Sequence, residues 1–323
     1  MNAIYTVCTY NHLGRALSLA ASVEANCKDA KFIICLLDSV EGNLIPAEIE
    51  LIMAKDMNLP FLNEMCSKYS PLELNSALKP YFGNYIFKKH KELDQLIFLD
   101  SDILLFDDLH PVYESLSANS IVLTPHSMST VPMDTDFDDR VFLRSGIYNA
   151  GFFGLKRDQN SQAFLEWWMG KLRNECFFDP KRGMFAEQLW LNLVPLYFES
   201  VDILKHEGCN VAYWNLHERT LSEKGGVFYV NGKIPLIFFH YSGASISCID
   251  DNKVSQHQQR YTFTNRTDVL AVFKLYLDSL NKHSFEKFNQ FYTLSSSFRT
   301  RSTLLKAVIE FYKKVIKKLF YIK

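Results

Sequence analysis

Leu96 to Asp108 read LIFLDSDILLFDD: four apolar residues run into Asp100-Ser101-Asp102, and a second apolar run, Ile103 to Phe106, follows at once. An apolar run with no polar alternation suits a strand buried on both faces, as in a parallel sheet flanked by helices. Two carboxylates two residues apart at the end of such a strand are costly to bury without a partner. The natural partner for two hard oxygen anions is a divalent cation, often one that also holds substrate phosphates.

The preceding residues set the sheet. Ala3–Tyr10 (AIYTVCTY) predicts a first strand, Asn11–Gly14 a loop, and Arg15–Asn26 a helix with apolar positions at Leu17, Ala20, Ala21 and Val23. Lys31–Asp38 (KFIICLLD) predicts a second buried strand ending in an acid, and Ile45–Met57 a helix. This alternation is the βαβ signature of an open parallel sheet, whose ligands sit outside the strand carboxyl ends. Tyr10, Asn11, Asp38, Asp100 and Asp102 all fall at such ends and are expected to line one crevice. Neither G-x-G-x-x-G nor G-x-x-x-x-G-K-[ST] occurs, which argues against a dinucleotide enzyme and a P-loop NTPase.

Further along, Pro71–His90 predicts a helix carrying Asn75, Ser76 and Lys79 towards the strand that ends at Asp100. Lys79 reads either as a solvated helix lysine or as a phosphate contact. Ser120–Thr124 is a strand, and Pro125–Arg140, with four acids and two prolines, is a loop long enough for a functional lid. Tyr148–Leu155 (YNAGFFGL) reads as a small-residue bend and then a strand, with Gly151 marking a close backbone approach. Asp158–Arg173 is an amphipathic helix whose Trp167 and Trp168 suit core packing. Gly183–Pro195 predicts a helix with Glu187 and Gln188 in its first turns, and Pro235–Gly243 (PLIFFHYSG) a buried strand ending at His240. His240 is either a structural histidine or a third metal ligand. Two carboxylates and one imidazole leave positions for two diphosphate oxygens and suit manganese better than calcium. The chemistry that follows is transfer of a group from a nucleoside diphosphate, with the ion stabilising the departing diphosphate.

Composition narrows the setting. The 323 residues are 48% apolar with 26 Phe and 16 Tyr, ample for a large core, and a net charge of −1 gives no reason to expect nucleic acid. From Arg299 to Lys323, eight Lys or Arg stand against the single acid Glu310, so this tail carries +7 and the other 298 residues −8. Between Leu304 and Ile322 the apolar residues fall on one half of a helical wheel and Lys306, Lys313, Lys314, Lys317 and Lys318 on the other. That pattern suits an anionic membrane surface; the alternative is a helix docked on its own domain or on a second subunit. Seven scattered cysteines without C-x-x-C spacing suit reduced thiols in the cytosol. With a strand-like run beginning at Ala3 and no basic stretch before it, no signal peptide is expected, and no apolar run reaches the ~18 residues of a membrane span. The expected location is cytoplasmic, peripheral to the membrane.

FLDSDILLF resembles the D-x-D motif of the GT-A glycosyltransferases. The order of features over roughly residues 3–243 is similar to that of the family-8-type retaining enzymes: first strand, acid after the second strand, D-x-D, N-A-G-F, a short acid/amide motif and a late H-x-x-G. The resemblance implies an α/β GT-A fold, Rossmann-like with a mostly parallel central sheet flanked by helices and a C-terminal helical extension. The division it suggests is a catalytic unit over 1–250, a helical segment over 251–298 and the basic helix over 299–323. Asp100, Asp102 and His240 would hold Mn²⁺ (or Mg²⁺). Thr9, Tyr10 and Asn11 would contact the base or ribose, Asp38 the nucleoside, and Lys79 the diphosphate, with Ser76, Ser101 and Gly243 as further donor contacts. Asn149 and Gly151 would lie beside the transferred sugar, and Glu187 and Gln188 in the place of the family's Asp-Gln pair; Glu187, Gln188 and Asn149 are therefore the candidate catalytic residues. No Lys-Pro-Trp follows Tyr241-Ser242-Gly243, so the family's late diphosphate lysine is missing, and Ser255, His257, Gln258 and Arg260 offer a replacement, Arg260 as the cation.

The implied reaction moves a sugar from a nucleotide-sugar donor, a UDP-sugar first, to a glycan or lipid-linked acceptor in surface polysaccharide synthesis, with retention. Inversion would need a carboxylate base such as Asp138, Asp139 or Glu187. Two other classes compete: a non-catalytic, membrane-docked sugar-nucleotide-binding protein, and a haloacid-dehalogenase-like phosphatase. The latter needs its aspartate after the first strand and a Thr or Val where this chain has Leu104.

Overall fold

The computed structural model of the chain describes residues 1–38, 45–131 and 138–290. The basic segment 299–323, the preceding 291–298 and the middle of the acidic loop, 132–137, lie outside them, and with them the expected amphipathic helix and part of the expected lid. The strands are β1 (Asn2–Cys8), β2 (Ala30–Leu36), β3 (Glu50–Met53), β4 (Gln95–Leu99), β5 (Ile103–Leu105), β6 (Ile121–Pro125) and β7 (Tyr148–Lys156). Shorter ones follow: β8 (Phe178–Asp179), β9 (Met184–Phe185), β10 (Val201–Ile203), β11 (Leu221–Lys224), β12 (Val227–Val230), β13 (Ile234–Pro235) and β14 (Phe238–His240). The helices are α1 (Leu13–Asn26), α2 (Leu62–Lys68), α3 (Pro71–Lys89), α4 (His110–Ala118), α5 (Asp139–Ser145), α6 (Gln159–Leu172), α7 (Val194–Tyr197), α8 (Leu270–Lys282) and α9 (Phe285–Gln290).

A seven-stranded sheet in the order β10-β6-β7-β4-β1-β2-β3 forms the centre. Its pairings are parallel except those of β7, which runs antiparallel to both β4 and β6. The reversal brings the amino end of β7, Tyr148 and Asn149, to the edge where β1, β2 and β4 deliver their carboxyl ends. Alternate strand residues feed two cores. Tyr5, Ile33, Phe98 and Phe153 pack under α3 and α6, while Ile4, Ile34, Ile97 and Phe152 pack under α1 and α4. Each such side chain removed from water contributes roughly 1.5–3 kcal/mol. A third cluster joins Leu104, Phe239 and Tyr241 to Phe273 and Tyr276 of α8.

Helix α3 shows how the sequence places a site residue. Ser70 caps it in a reciprocal box with Glu73, Pro71 fills the first position, and Lys88 and Lys89 close the last turn, each favourable at its end of the helix dipole. Pro80 lies inside the helix, where it removes one intrahelical bond. Beside it, the Tyr5 hydroxyl donates to the Lys79 carbonyl at 2.9 Å. Gly83 admits this contact, since a Cβ there would lie 2.8 Å from the Tyr5 hydroxyl oxygen.

Several elements differ from the expectation. Ile45–Met57 is not a helix: β3 pairs in parallel with β2, and a short 3-10 turn over Ala54–Met57 follows. Pro46 lies at its start, Asn58 ends it at a φ of 50°, and the edge of the sheet captures Glu50–Met53 in place of helical spacing. β1 stops at Cys8, and Tyr10–His12 is a single 3-10 turn rather than strand. Tyr148–Leu155 has no initial bend; the whole of it is β7. Gly183–Pro195 is likewise not a helix but β9, a 3-10 turn over Gln188–Leu193 and the start of α7. Ala186, at a φ of 45°, blocks an earlier helical start. The second apolar run of LIFLDSDILLF also leaves the main sheet: β5 pairs antiparallel with β14, so Ile103 faces His240. No described helix is long and apolar enough to cross a membrane.

Candidate metal and donor site

Asp100 and Asp102 stand just past β4, and the β5–β14 pairing returns His240 to them. One donor atom from each of the three lies within 4.8 Å of the others, the one such group among the described residues. His240 Nε2 is 3.1 Å from Asp102 Oδ1 and 4.0 Å from Asp100 Oδ2. These separations suit neighbouring ligands of one ion bonded at about 2.0–2.2 Å. His240 is 4% exposed, and its ring meets Trp214 edge-on at 5.1 Å.

Gly151 makes the cradle. A Cβ at this position would lie 2.3 Å from His240 Cε1, 2.8 Å from Asn149 Oδ1 and 2.9 Å from Asp100 Oδ2. The close approach expected at this glycine is therefore to the acid–histidine group itself. The Gly151 carbonyl also accepts from the Asp100 amide at 2.8 Å. Two carboxylates and an imidazole, packed this tightly with no side chain between them, fit a divalent cation.

The charges around the group are uneven. Burial pushes the Asp100 carboxyl up; Lys79 and His240 oppose it, while Asp102 and Glu187 add to it. At Asp102 burial acts the same way, but His240, Arg15 and His12 outweigh it and hold the carboxyl well below the usual range. Lys79 is 3% exposed, which excludes a solvated lysine. Its ammonium lies 2.9 Å from Asp100 Oδ1 and 2.7 Å from Glu187 Oε1, and donates to the Ala150 carbonyl at 3.1 Å. All three hydrogens have acceptors. Burial alone would lower its pKa, but Asp100 and Glu187 carry it above the ordinary lysine value.

Beside this ion-pair group lies a buried amide network. Asn149 Oδ1 accepts from the Gly151 amide and from Asn210 Nδ2, both at 3.1 Å. Its Nδ2 is 3.2 Å from His126 Nε2, while His126 Nδ1 is 3.2 Å from the Ile147 carbonyl. The acceptor at Ile147 places the proton on Nδ1 and makes Nε2 the acceptor for Asn149. Burial, opposed by the Ile147 bond, lowers His126 to about 4, so this tautomer is neutral at physiological pH. Gln188 Oε1 accepts from the Ala150 amide at 3.0 Å, and its Nε2 donates to the Ser145 carbonyl at 2.8 Å.

The other expected residues have the following contacts. Thr9 Oγ1 donates to Asn11 Oδ1 at 2.6 Å, and the Tyr10 amide donates to Asp38 Oδ2 at 2.6 Å, which fixes the turn after β1. Ser76 and Ser101 are buried. Gly243 has a φ of 72°, and a Cβ there would lie 2.4 Å from His257 Cδ2; Ser255 Oγ holds the same segment by donating to the Ser242 carbonyl at 2.8 Å. Arg260 lies on the wall of a cleft of about 1150 Å³ that also takes in Asn149, Gln188, His126, Trp214 and His257, with its guanidinium 4.3 Å from the centre of the Tyr261 ring. Of the alternative bases, Asp138 is bound by the Arg140 guanidinium and amide, which lower its pKa, and Asp139 Oδ1 accepts from the Val131 amide at 2.9 Å.

Sequence reasoning passes over His126, Asn210, Trp214 and Arg15. For Arg15 a signal exists: a cation in the first turn of a helix opposes the dipole and so calls for an anion nearby. That anion is Asp102, 3.6 Å from Arg15 Nη1.

This arrangement of sheet, reversed strand and acid triplet is the GT-A glycosyltransferase fold. The galactosyltransferase LgtC, solved in complex with donor and acceptor sugar analogues, superposes with a TM-score of 0.53 at 15% identity, covering 92% of this chain and 99% of LgtC. The bifunctional glycosyltransferase WbbM, in its apo form, gives 0.50 at 12% identity over 90% of this chain and 52% of WbbM. In sequence the chain is similar to two uncharacterized proteins of Bacillus subtilis (strain 168). YfnF is 27% identical over 283 residues, 86% of this chain and 91% of YfnF, and YfnD is 25% identical over 252 residues, 75% of this chain and 77% of YfnD. No protein-family profile matches the chain.

Proposed function

We propose that the chain is a metal-dependent glycosyltransferase that moves a sugar, with retention, from a nucleoside-diphosphate sugar to a glycan or lipid-linked acceptor in surface polysaccharide synthesis, a UDP-sugar being the first donor to test. The observation that carries this is the Asp100, Asp102 and His240 group at the carboxyl edge of the sheet, with Gly151 left bare to admit it. That LgtC was solved with donor and acceptor sugar analogues supports a nucleotide-sugar donor and a saccharide acceptor on this fold.

Asp100, Asp102 and His240 would hold Mn²⁺ or Mg²⁺, which supplies Lewis-acid stabilisation of the departing diphosphate. The chain's own residues do the rest. The Thr9–Asn11 turn, braced by Asp38, receives the nucleoside, with Tyr10 as the stacking surface. Lys79 is the cation that Asp100 and Glu187 share, and it offsets part of the cost of burying them. Asn149 and Gln188 are each held by two or more hydrogen bonds, and a pre-set polar wall of this kind needs no reorganisation when charge develops on the sugar. Retention is favoured because the carboxylates available as a base for inversion are engaged: Glu187 with Lys79, Asp138 with Arg140, Asp139 with the Val131 amide. The acceptor hydroxyl then attacks on the leaving-group face, and the departing phosphate takes its proton.

In this reading residues 1–250 form the catalytic unit, 251–298 a helical segment upon it, and 299–323 a basic helix that docks on the anionic, cytoplasmic face of a membrane where a lipid-linked acceptor is presented. The decisive experiment is a thermal-shift and hydrolysis screen of nucleotide sugars with and without Mn²⁺. One donor should raise the Tm and be hydrolysed only with metal. The absence of any metal-dependent response across the set overturns the proposal, and binding without hydrolysis returns the non-catalytic alternative.

A further inference from the structure

The last described helix lies against the residues that open the donor site. Between α8 and α9 the chain turns at Ser284, with a φ of 56°, and Phe285 then comes down on α1. The approach is so close that a Cβ at Gly14 would lie 2.6 Å from Phe285 Cα; only glycine admits it. Phe285 is 5% exposed, and its ring lies under the Arg15 guanidinium, 5.3 Å from centre to Cζ. One helical turn on, buried Phe288 meets the Tyr10 ring edge-on at 5.5 Å. The corner is pinned at a third point, where His283 Nδ1 stands 3.4 Å from Ser18 Oγ.

Arg15 is thereby fixed on three sides. Phe285 covers one face of its guanidinium, Nη2 donates to the Ala244 carbonyl at 3.1 Å, and Nη1 lies 3.6 Å from Asp102 Oδ2. Its side chain is only 16% exposed. Asp102 uses its two oxygens differently: Oδ2 faces Arg15, and Oδ1 faces His240. At 3.6 Å the Arg15 contact is an ion pair on one oxygen, and its pull on Oδ2 favours the carboxylate rotation that turns Oδ1 to His240.

We propose that Arg15 is a positioning residue for Asp102, and that α9 holds Arg15 in place through Phe285, so that the carboxy-terminal segment sets the metal affinity of the donor site. This rests on the metal-binding reading above. It also means that α9, the last described element before the basic segment, is one side chain removed from a proposed metal ligand.

The test keeps the charge and releases the geometry. Free Mn²⁺ is measured by its paramagnetic resonance signal during titration of the full chain, with and without UDP. Phe285→Ala leaves Arg15 charged but uncovered, and should weaken Mn²⁺ binding about tenfold, as loss of an outer-shell partner does; Phe285→Tyr, which keeps the ring, should restore it. Leu172→Ala, a buried change on α6 in the cluster that includes neither α1 nor α9, should lower Tm and leave Mn²⁺ affinity alone, which separates positioning from general loosening. If Phe285→Ala does not fold, Arg15→Lys makes the same test, since it keeps the charge and loses the guanidinium that Phe285 and the Ala244 carbonyl hold. Wild-type Mn²⁺ affinity in Phe285→Ala or Arg15→Lys, or equal weakening in Leu172→Ala, overturns the inference. A wild-type chain that binds no Mn²⁺ at all instead overturns the metal reading beneath it.

Discussion

Gly151→Ala puts the proposed site under a single, measurable strain. No positive φ is recorded at Gly151, so the backbone accepts alanine, and within a strand alanine is slightly favoured over glycine. Any loss must come from the methyl group. Carbon atoms sit comfortably at about 3.5–4.0 Å, and the added Cβ would be 2.3 Å from His240 Cε1, so one partner must retreat by about 1.2 Å. The strand cannot: β7 is paired on both sides, and the Gly151 carbonyl is bonded to the Asp100 amide. The imidazole must give. Overpacking of this kind costs about 1–3 kcal/mol, a Tm lowered by roughly 2–6 °C, and a ligand displaced by about 1 Å costs on the order of 10²-fold in rate. The assay pairs a melting curve with Mn²⁺-dependent hydrolysis of the donor found by screening. Gly154→Ala serves as the comparison, because its nearest neighbour is the flexible tip of Leu116 at 3.1 Å; its effect should stay within about 1 kcal/mol. Wild-type melting and wild-type Mn²⁺ dependence in Gly151→Ala would refute the packing of this site.

Lys79→Met leaves Asp100 and Glu187 buried without their shared cation, and should cost about 3–5 kcal/mol by urea unfolding; Lys79→Met with Glu187→Gln should recover part of it, and equal stability of Lys79→Met and wild type would count against the ion-pair account. At Glu50 burial opposes ionisation, but hydrogen bonds from Lys31, Lys89 and His90 outweigh it and hold the carboxyl at about 2. Its depressed pKa contributes stability that is present above the unfolded value near 4.5 and lost as pH falls through about 2. Glu50→Gln should therefore flatten the acid limb of the stability curve between those values and cost roughly 1–2 kcal/mol at pH 7; an unchanged limb means the cluster does not act. Truncation after Thr303 should release the protein from anionic vesicles while sparing metal-dependent donor hydrolysis, and undiminished sedimentation with vesicles would favour a docked helix instead.

The first sheet strands, α1, α3 and α6 are legible because each is written in one local code: continuous apolar runs, helical spacing, Ser70 and Asp158 as caps. Ile45–Met57 and Gly183–Pro195 are not, because their apolar spacing suits a helix while the free edge of β2 and the positive φ of Ala186 decide otherwise. The acid triplet can be read from its place after a buried strand, and His240 only through the family resemblance. Nothing local marks His126, Asn210 or Trp214: an amide or an imidazole becomes part of a site only when β7 and the 210–215 segment come together around Asn149. Lys79 illustrates the intermediate case. Its helix is plain in the sequence, but its burial between two carboxylates depends on Asp100 and Glu187 arriving from 21 and 108 residues away.

The β5–β14 pairing also sets a timetable. The central sheet has all its strands once Ile203 is made, and at about 5–20 residues per second the ribosome needs several more seconds to deliver His240. Over that interval a growing chain can hold its complete sheet and its acid pair while lacking the imidazole, and Phe285 emerges later still. A chain ended anywhere between residues 204 and 239 would have every strand of the central sheet and both acids, but not the third member of the proposed metal group.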